Sequence, residues 1–161
     1  MTLPDFVAPG MRVLVCGLNP SIYAARIGIP YGRPGNRFWP AALAAGLVTV
    51  DRDPVLALQR DGVGFTDLVK RATVGAGELA PAEFRAGLAR VESLCEQLRP
   101  RAVAFCGVTG WRHATGDRRA GLGWQDRRVG GAPAYVLPNP SGRNAHTTVA
   151  KLTEHLRVVA S

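Results

Sequence analysis

Three short stretches of the chain are apolar almost without interruption and end at turn residues. Arg12–Leu18 (RVLVCGL) and Arg101–Val108 (RAVAFCGV) each run into a glycine, and Pro133–Pro140 (PAYVLPNP) is a shorter example. Continuous apolar runs of this length suit strands buried on both faces of a sheet. Between them the apolar positions recur at steps of three and four. Across Pro81–Pro100, Phe84, Leu88, Val91, Cys95 and Leu98 form one helical stripe, with Pro81 suited to the first turn and Pro100 to the end. Asn36–Leu47 reads as a helix with Asn36 as N-cap, Pro40 tolerated in the first turn and a stop near Gly46. The last helix, His146–Ala160, places Val149, Leu152, Leu156 and Val159 on one face. Buried strands alternating with amphipathic helices predict a three-layer α/β/α sandwich around a mainly parallel sheet. No composition shift or low-complexity tract divides the chain, so residues 1–161 are expected to form a single domain.

Parallel sheets bind ligands outside the carboxyl ends of their strands. Two of the predicted strands end there in the same tripeptide, Asn19–Pro20–Ser21 and Asn139–Pro140–Ser141. Proline keeps the residue before it extended, so each asparagine is held stiffly at a strand end. We expect the two loops to face each other across one ligand. Asparagine is no general base at neutral pH, but it can orient a water and donate from its amide. Cleavage of an N-glycosidic bond, in which the base departs as a stabilised anion, can proceed with that much help. The plainer alternative is that Asn19 hydrogen-bonds its own turn.

Other residues near these loops keep two readings open. Tyr31, between Pro30 and Gly32, suits either stacking on a base or core packing, whereas Phe38 and Trp39 are expected in the core. Gly142 permits a tight turn or a close backbone approach. Ser141 and the N–H groups before the last helix could hold a phosphate, and Arg143 could enter a duplex or pair with one. His146 reads as a helix-start residue, a phosphate ligand or a surface residue. Asp67, in GFTDLVKRAT, is expected in a helix-start or loop role.

Charge narrows the partners. The net charge is +8 with a pI near 10.4, a balance suited to a polyanion. All of the basic residues except Lys70 and Lys151 are Arg, which is also the mark of a GC-rich genome. Cys16, Cys95 and Cys106 are too few and too scattered for a disulfide framework or a C-x-x-C site, and are expected to be buried reduced thiols. His113, His146 and His155 form no metal-binding spacing, and no G-x-G-x-x-G, Walker A or G-x-S-x-G motif occurs. With no apolar run of membrane-spanning length and no signal-peptide pattern at the N-terminus, a cytoplasmic, nucleoid-associated protein is expected.

Taken together, VLVCGLNPS, YGRPGNRFWPAALAAGL, GFTDLVKRAT and VLPNPSGRNAH resemble the mismatch-specific uracil-DNA glycosylase / thymine-DNA glycosylase family, over about Ala8–Arg157. That resemblance implies a uracil-DNA glycosylase fold with a four- to five-stranded sheet. It implies a monofunctional enzyme without metal or cofactor that flips uracil out of mispaired double-stranded DNA and hydrolyses its glycosidic bond, and a monomer is the default expectation. It places Asn19 at the water-positioning asparagine, and Gly17, Leu18, Pro20, Ser21, Tyr31 and Asn139 around the base. Gly17, Leu18 and Pro20 would form the floor through their backbone, and Tyr31 would stack on the base. Ser141, Gly142, Arg143, Asn144 and His146 would meet the DNA, with Arg143 as the wedge. The first motif of the family usually ends in Gly, where this chain has Ser21, and the wedge is Leu in many bacterial members. The alternative is a catalytically weak lesion- or nucleotide-binding module of the same fold.

Overall fold

The computed structural model describes all 161 residues. In chain order the elements are β1 (Val13–Gly17), α1 (Ile22–Ile27), α2 (Phe38–Ala44), α3 (Pro54–Asp61), β2 (Val63–Asp67), α4 (Pro81–Leu98), β3 (Val103–Cys106), α5 (Val108–Thr115), β4 (Gly123–Trp124), β5 (Ala134–Leu137) and α6 (Val149–Ala160). The sheet order is β2-β1-β3-β5-β4. Every pairing is parallel except that of the two-residue edge strand β4 with β5. The expected three-layer fold with a mainly parallel sheet is therefore present.

Side-chain alternation along each strand splits the core in two. Leu14, Cys16, Val103, Phe105, Ala134 and Val136 face one way, onto the α4 stripe of Phe84, Leu88, Val91 and Cys95 and onto Trp111 of α5. Val13, Val15, Ala104, Cys106, Tyr135 and Leu137 face the other way, onto Phe38 and Trp39 of α2, Ala57 of α3 and Leu152, Leu156 and Val159 of α6. Period-two strands against period-3.6 helices give this partition directly.

Several expectations shift. The N-cap of α2 is Arg37 rather than Asn36 and has no side-chain cap bond; Asn36 stands one residue earlier, its Oδ1 accepting from the Phe38 N–H at 2.9 Å. The last helix begins at Val149 rather than His146, because the Thr148 hydroxyl accepts from the Lys151 N–H and starts it there. Val149 is left partly exposed in the first turn, outside the buried stripe. Asp67 sits in neither a helix start nor a loop. It is the last residue of β2, a strand that Gly64, Thr66 and Asp67 itself disguise, and it pairs in register with Gly17. No helix is long and apolar enough to cross a membrane.

Candidate active site

The carboxyl ends of β1, β2, β3 and β5 open into a cleft of about 990 Å³. Gly17, Asp67, Cys106 and Asn139 mark the four strand ends on its wall, and both Asn-Pro-Ser loops line it. All twelve residues singled out above as site residues lie along this cleft. The two loops do face each other, but their asparagines are used differently.

Asn19 does not serve its own turn. Its Nδ2 donates to the Arg71 carbonyl at 2.9 Å and to the Thr73 hydroxyl at 2.8 Å. The Thr73 hydroxyl in turn donates to the Gly75 carbonyl at 2.9 Å, so its oxygen must accept from Asn19. Both amide hydrogens are thereby committed and the orientation of the amide is fixed by hydrogen-bond logic. The Oδ1 atom remains as the acceptor without a protein partner. Arg71 is itself braced by a salt bridge to Glu83 in α4 at 3.1 Å.

Asn139 does serve its own turn: its Oδ1 accepts from the Ser141 N–H at 3.0 Å. Its carbonyl accepts from Asn144 Nδ2 at 3.0 Å, which closes the loop on itself. Arg37, not anticipated from the sequence, clamps that loop. Its guanidinium donates to the carbonyls of Ser141 at 2.7 Å and Asn144 at 2.9 Å, and its N–H to that of Pro140 at 2.9 Å. Gly142 serves both of its readings: it lies in the turn closed by the Asn144 N–H donating to the Ser141 carbonyl at 3.0 Å, and a Cβ there would lie 2.9 Å from the Gly35 carbonyl oxygen. Arg143 and His146 are exposed at the rim, and the Arg143 guanidinium reaches toward Gly75 across the cleft.

The backbone carbonyls of Gly17, Leu18 and Pro20 accept from Leu68, Val69 and Thr73, so the floor beside β1 is the Gly17 Cα surface rather than a row of free carbonyls. The Leu18 side chain packs against Gly110 of α5. Ser21 lines the cleft, and its hydroxyl caps α1, accepting from the Ala24 N–H at 3.0 Å.

Tyr31 packs against the core and borders the cleft at once. Its ring lies 4.7 Å from that of Phe38 and borders the α2-side core, and it also lines the cleft. Its hydroxyl meets Cys106 Sγ at 3.4 Å. A φ of +57° holds the residue in the left-handed region, which costs a non-glycine residue about 1–2 kcal/mol. Burial pushes the Tyr31 hydroxyl well above its ordinary value and the Cys106 thiol up to about 12, so both stay neutral. Cys16, Cys95 and Cys106 are free and buried, and no group of three His, Cys, Asp or Glu could hold a metal ion.

Asp67, which the sequence reading set in a helix start or loop, belongs to the cleft. It is 7% exposed and is the one acidic residue on the cleft wall. Burial raises its carboxyl to about 7, against the downward pull of Lys70 and Arg90. The signal for it was a lone acid at the end of an apolar stretch, whose strand character was hidden by its glycine and threonine.

Comparison with known proteins agrees with this geometry. The model of the uracil DNA glycosylase superfamily matches residues 4–160. The fold is similar to the solution NMR structure of a protein from Methanosarcina acetivorans described as a candidate uracil DNA glycosylase. The TM-score is 0.66 with 21% identity over 99% of this chain and 98% of the other.

Proposed function

The chain belongs to the uracil DNA glycosylase superfamily, and from that premise we propose that it excises uracil from G·U mispairs in double-stranded DNA, with weaker action on thymine or etheno-cytosine opposite G. The observation that carries this reading is the Asn19 amide, whose two hydrogens are tied to Arg71 and Thr73 while Oδ1 stays free on the cleft wall. A carbonyl oxygen held in that way can accept a hydrogen bond from a water and aim its lone pair at the sugar C1′. The bond from C1′ to the base nitrogen breaks as the water oxygen bonds to C1′. The electron pair leaves with the base, and the proton of the water passes to solvent. Such a dissociative reaction needs position and electrostatics more than a strong base.

The flipped base enters between the Gly17 floor and the Tyr31 ring. The clamped second loop and Arg143 at its tip meet the duplex, Arg143 filling the gap that flipping leaves. The glycosylase works as a monomer without metal or cofactor.

The test uses end-labelled duplexes with one G·U, G·T, A·U or G·C pair, plus single-stranded uracil DNA, followed by alkali. Breaks mainly at G·U are expected. Asn19→Ala should lower cleavage about 100-fold or more while retaining binding in a mobility shift. Cleavage by that variant at the parental rate would remove Asn19 from the mechanism. Retained DNA binding without breaks by the parent would make the protein a lesion-binding module.

A further inference from the structure

Two large apolar residues stand open to solvent on the segment that forms the edge strand β4. Leu122 is 48% exposed and lines the cleft, and Trp124, two residues on, is 50% exposed. The other two tryptophans, Trp39 and Trp111, are buried. The Trp39 indole N–H donates to the Pro30 carbonyl at 2.8 Å, whereas that of Trp124 meets no protein acceptor.

An isolated exposed apolar side chain needs no explanation. Trp124 differs because it is held in place. Its ring meets that of Tyr135 edge to face at 5.0 Å, and the Tyr135 hydroxyl is fixed by His155 Nδ1 at 2.7 Å. Gln125 Nε2 donates to the carbonyls of Gly121 at 2.8 Å and Gly123 at 2.9 Å, and Arg112 Nε donates to that of Ala120 at 2.8 Å. Gly123, at a φ of +102°, supplies a bend that glycine takes most easily. The segment is thus braced with Leu122 and Trp124 turned outward, and a ligand that meets them orders little further chain.

The surroundings are basic. Over Asp117–Arg128 four arginines stand against two aspartates. Arg127 is engaged with Glu92 and Arg128 with the Gly131 carbonyl, but the exposed guanidinium groups of Arg118 and Arg119 have no protein partner. On α6, Lys151 is exposed and unpaired one turn before His155. The surface also has a direction. β4 runs antiparallel to β5, so the chain passes from Leu122 at the cleft down to Trp124 opposite Tyr135. From Tyr135 to Asn139 is about 13 Å of extended chain, or about four phosphate spacings of a stacked strand.

We propose that Leu122 and Trp124 form a track for single-stranded DNA leading out of the cleft. An unpaired base about four nucleotides from the one in the cleft stacks on Trp124, and Arg118, Arg119 and Lys151 meet the phosphates beside it. The ligand class follows from the chemistry, since an aromatic ring takes any base and flanking cations take the backbone. A duplex keeps its bases paired and offers the ring nothing to stack on. The track therefore favours sites with an unpaired flank, such as a gap or an overhang. It rests on the glycosylase reading only in taking DNA as the ligand of the cleft.

Because Trp124 is the one exposed tryptophan, intrinsic fluorescence reports on it directly. Oligo(dT) of about twelve nucleotides should quench the parental emission, and a blunt duplex of equal phosphate content should quench it much less. Binding isotherms then compare a blunt duplex carrying 2′-fluoroarabino-uridine opposite G with the same duplex whose flank becomes single-stranded about four nucleotides away. The flank should tighten parental binding about fivefold or more. Trp124→Ala should bring the ratio of flanked to blunt affinity close to one, and Trp124→Phe should keep most of the gain. Absence of quenching by oligo(dT), no flank effect in the parent, or an undiminished ratio in Trp124→Ala overturns the proposal. A blue shift of the emission that grows with protein concentration without DNA also overturns it, since the edge strand would then pair with a second copy. Quenching and a flank effect without any cleavage of uracil DNA would keep the track and sink the glycosylase function. Cleavage at G·U without a flank effect would do the reverse.

Discussion

Asp67 carries a cost that can be measured in the absence of DNA. Its carboxyl is raised from 3.8 to about 7 by burial, so the folded chain holds a proton through a range where the unfolded chain has lost it. The folded state then binds more protons than the unfolded one, and stability falls as pH rises from about 4 to 7, with no recovery above. Asp67→Asn removes the titrating group. It should raise Tm at pH 8 and do much less at pH 4, the differential amounting to about 2–4 kcal/mol. Calorimetry at the two pH values checks this, and an equal shift at both would mean that ionisation is not the cause. The two asparagines show the same lesson of context. Identical tripeptides predicted their common position, because proline stiffens the backbone in the same way in each. Their roles were not legible, since the partners of Asn19 lie more than fifty residues away while those of Asn139 lie within its own loop.

At the scale of elements, legibility followed length and continuity of pattern. β1, β3 and β5 were readable because both faces are apolar, and α4 because five turns give its stripe time to repeat. α1, α3 and α5 span six to eight residues, too few for a period of 3.6 to declare itself. β2 was hidden by packing demands: a Cβ at Gly64 would strike Met11 Sδ at 2.2 Å, so glycine stands where a branched apolar residue would have advertised a strand. The same demand recurs at Gly87, where α4 crosses the exit of β2 and a Cβ would come 1.9 Å from the Leu68 carbonyl oxygen. Alanine normally favours a helix over glycine by about 1 kcal/mol. Here the clash is with backbone on a segment held by β1, so overpacking should win. Gly87→Ala is expected to destabilise by about 1–3 kcal/mol, read as a lower urea midpoint at unchanged slope. A neutral or stabilising result would show that α4 slides freely over β2.

Across the whole molecule, parallel pairing sends every functional strand end to one side and leaves the strand starts on the other. Arginines occur on both sides. Arg33 and Arg143 line the cleft, whereas Arg101 lies exposed just before β3, at the opposite end of the strands. A net charge of +8 by itself predicts attraction to DNA without saying which face is used. The salt dependence of binding separates the two. Each phosphate neutralised by the protein adds about 0.9 to the slope of log K against log salt. Arg33→Ala and Arg143→Ala should therefore each reduce the slope by about one, and Arg101→Ala should leave it as in the parent. The comparison needs binding isotherms for an undamaged duplex at several salt concentrations, so it depends on neither cleavage nor base recognition. If Arg101→Ala lowered the slope as much as Arg143→Ala, DNA would be held by the basic surface at large. The cleft would then meet a base only after diffuse binding had already supplied most of the affinity. If only the cleft arginines matter, the polarity of the sheet has done more than collect four strand ends: it has chosen the face on which the duplex lies.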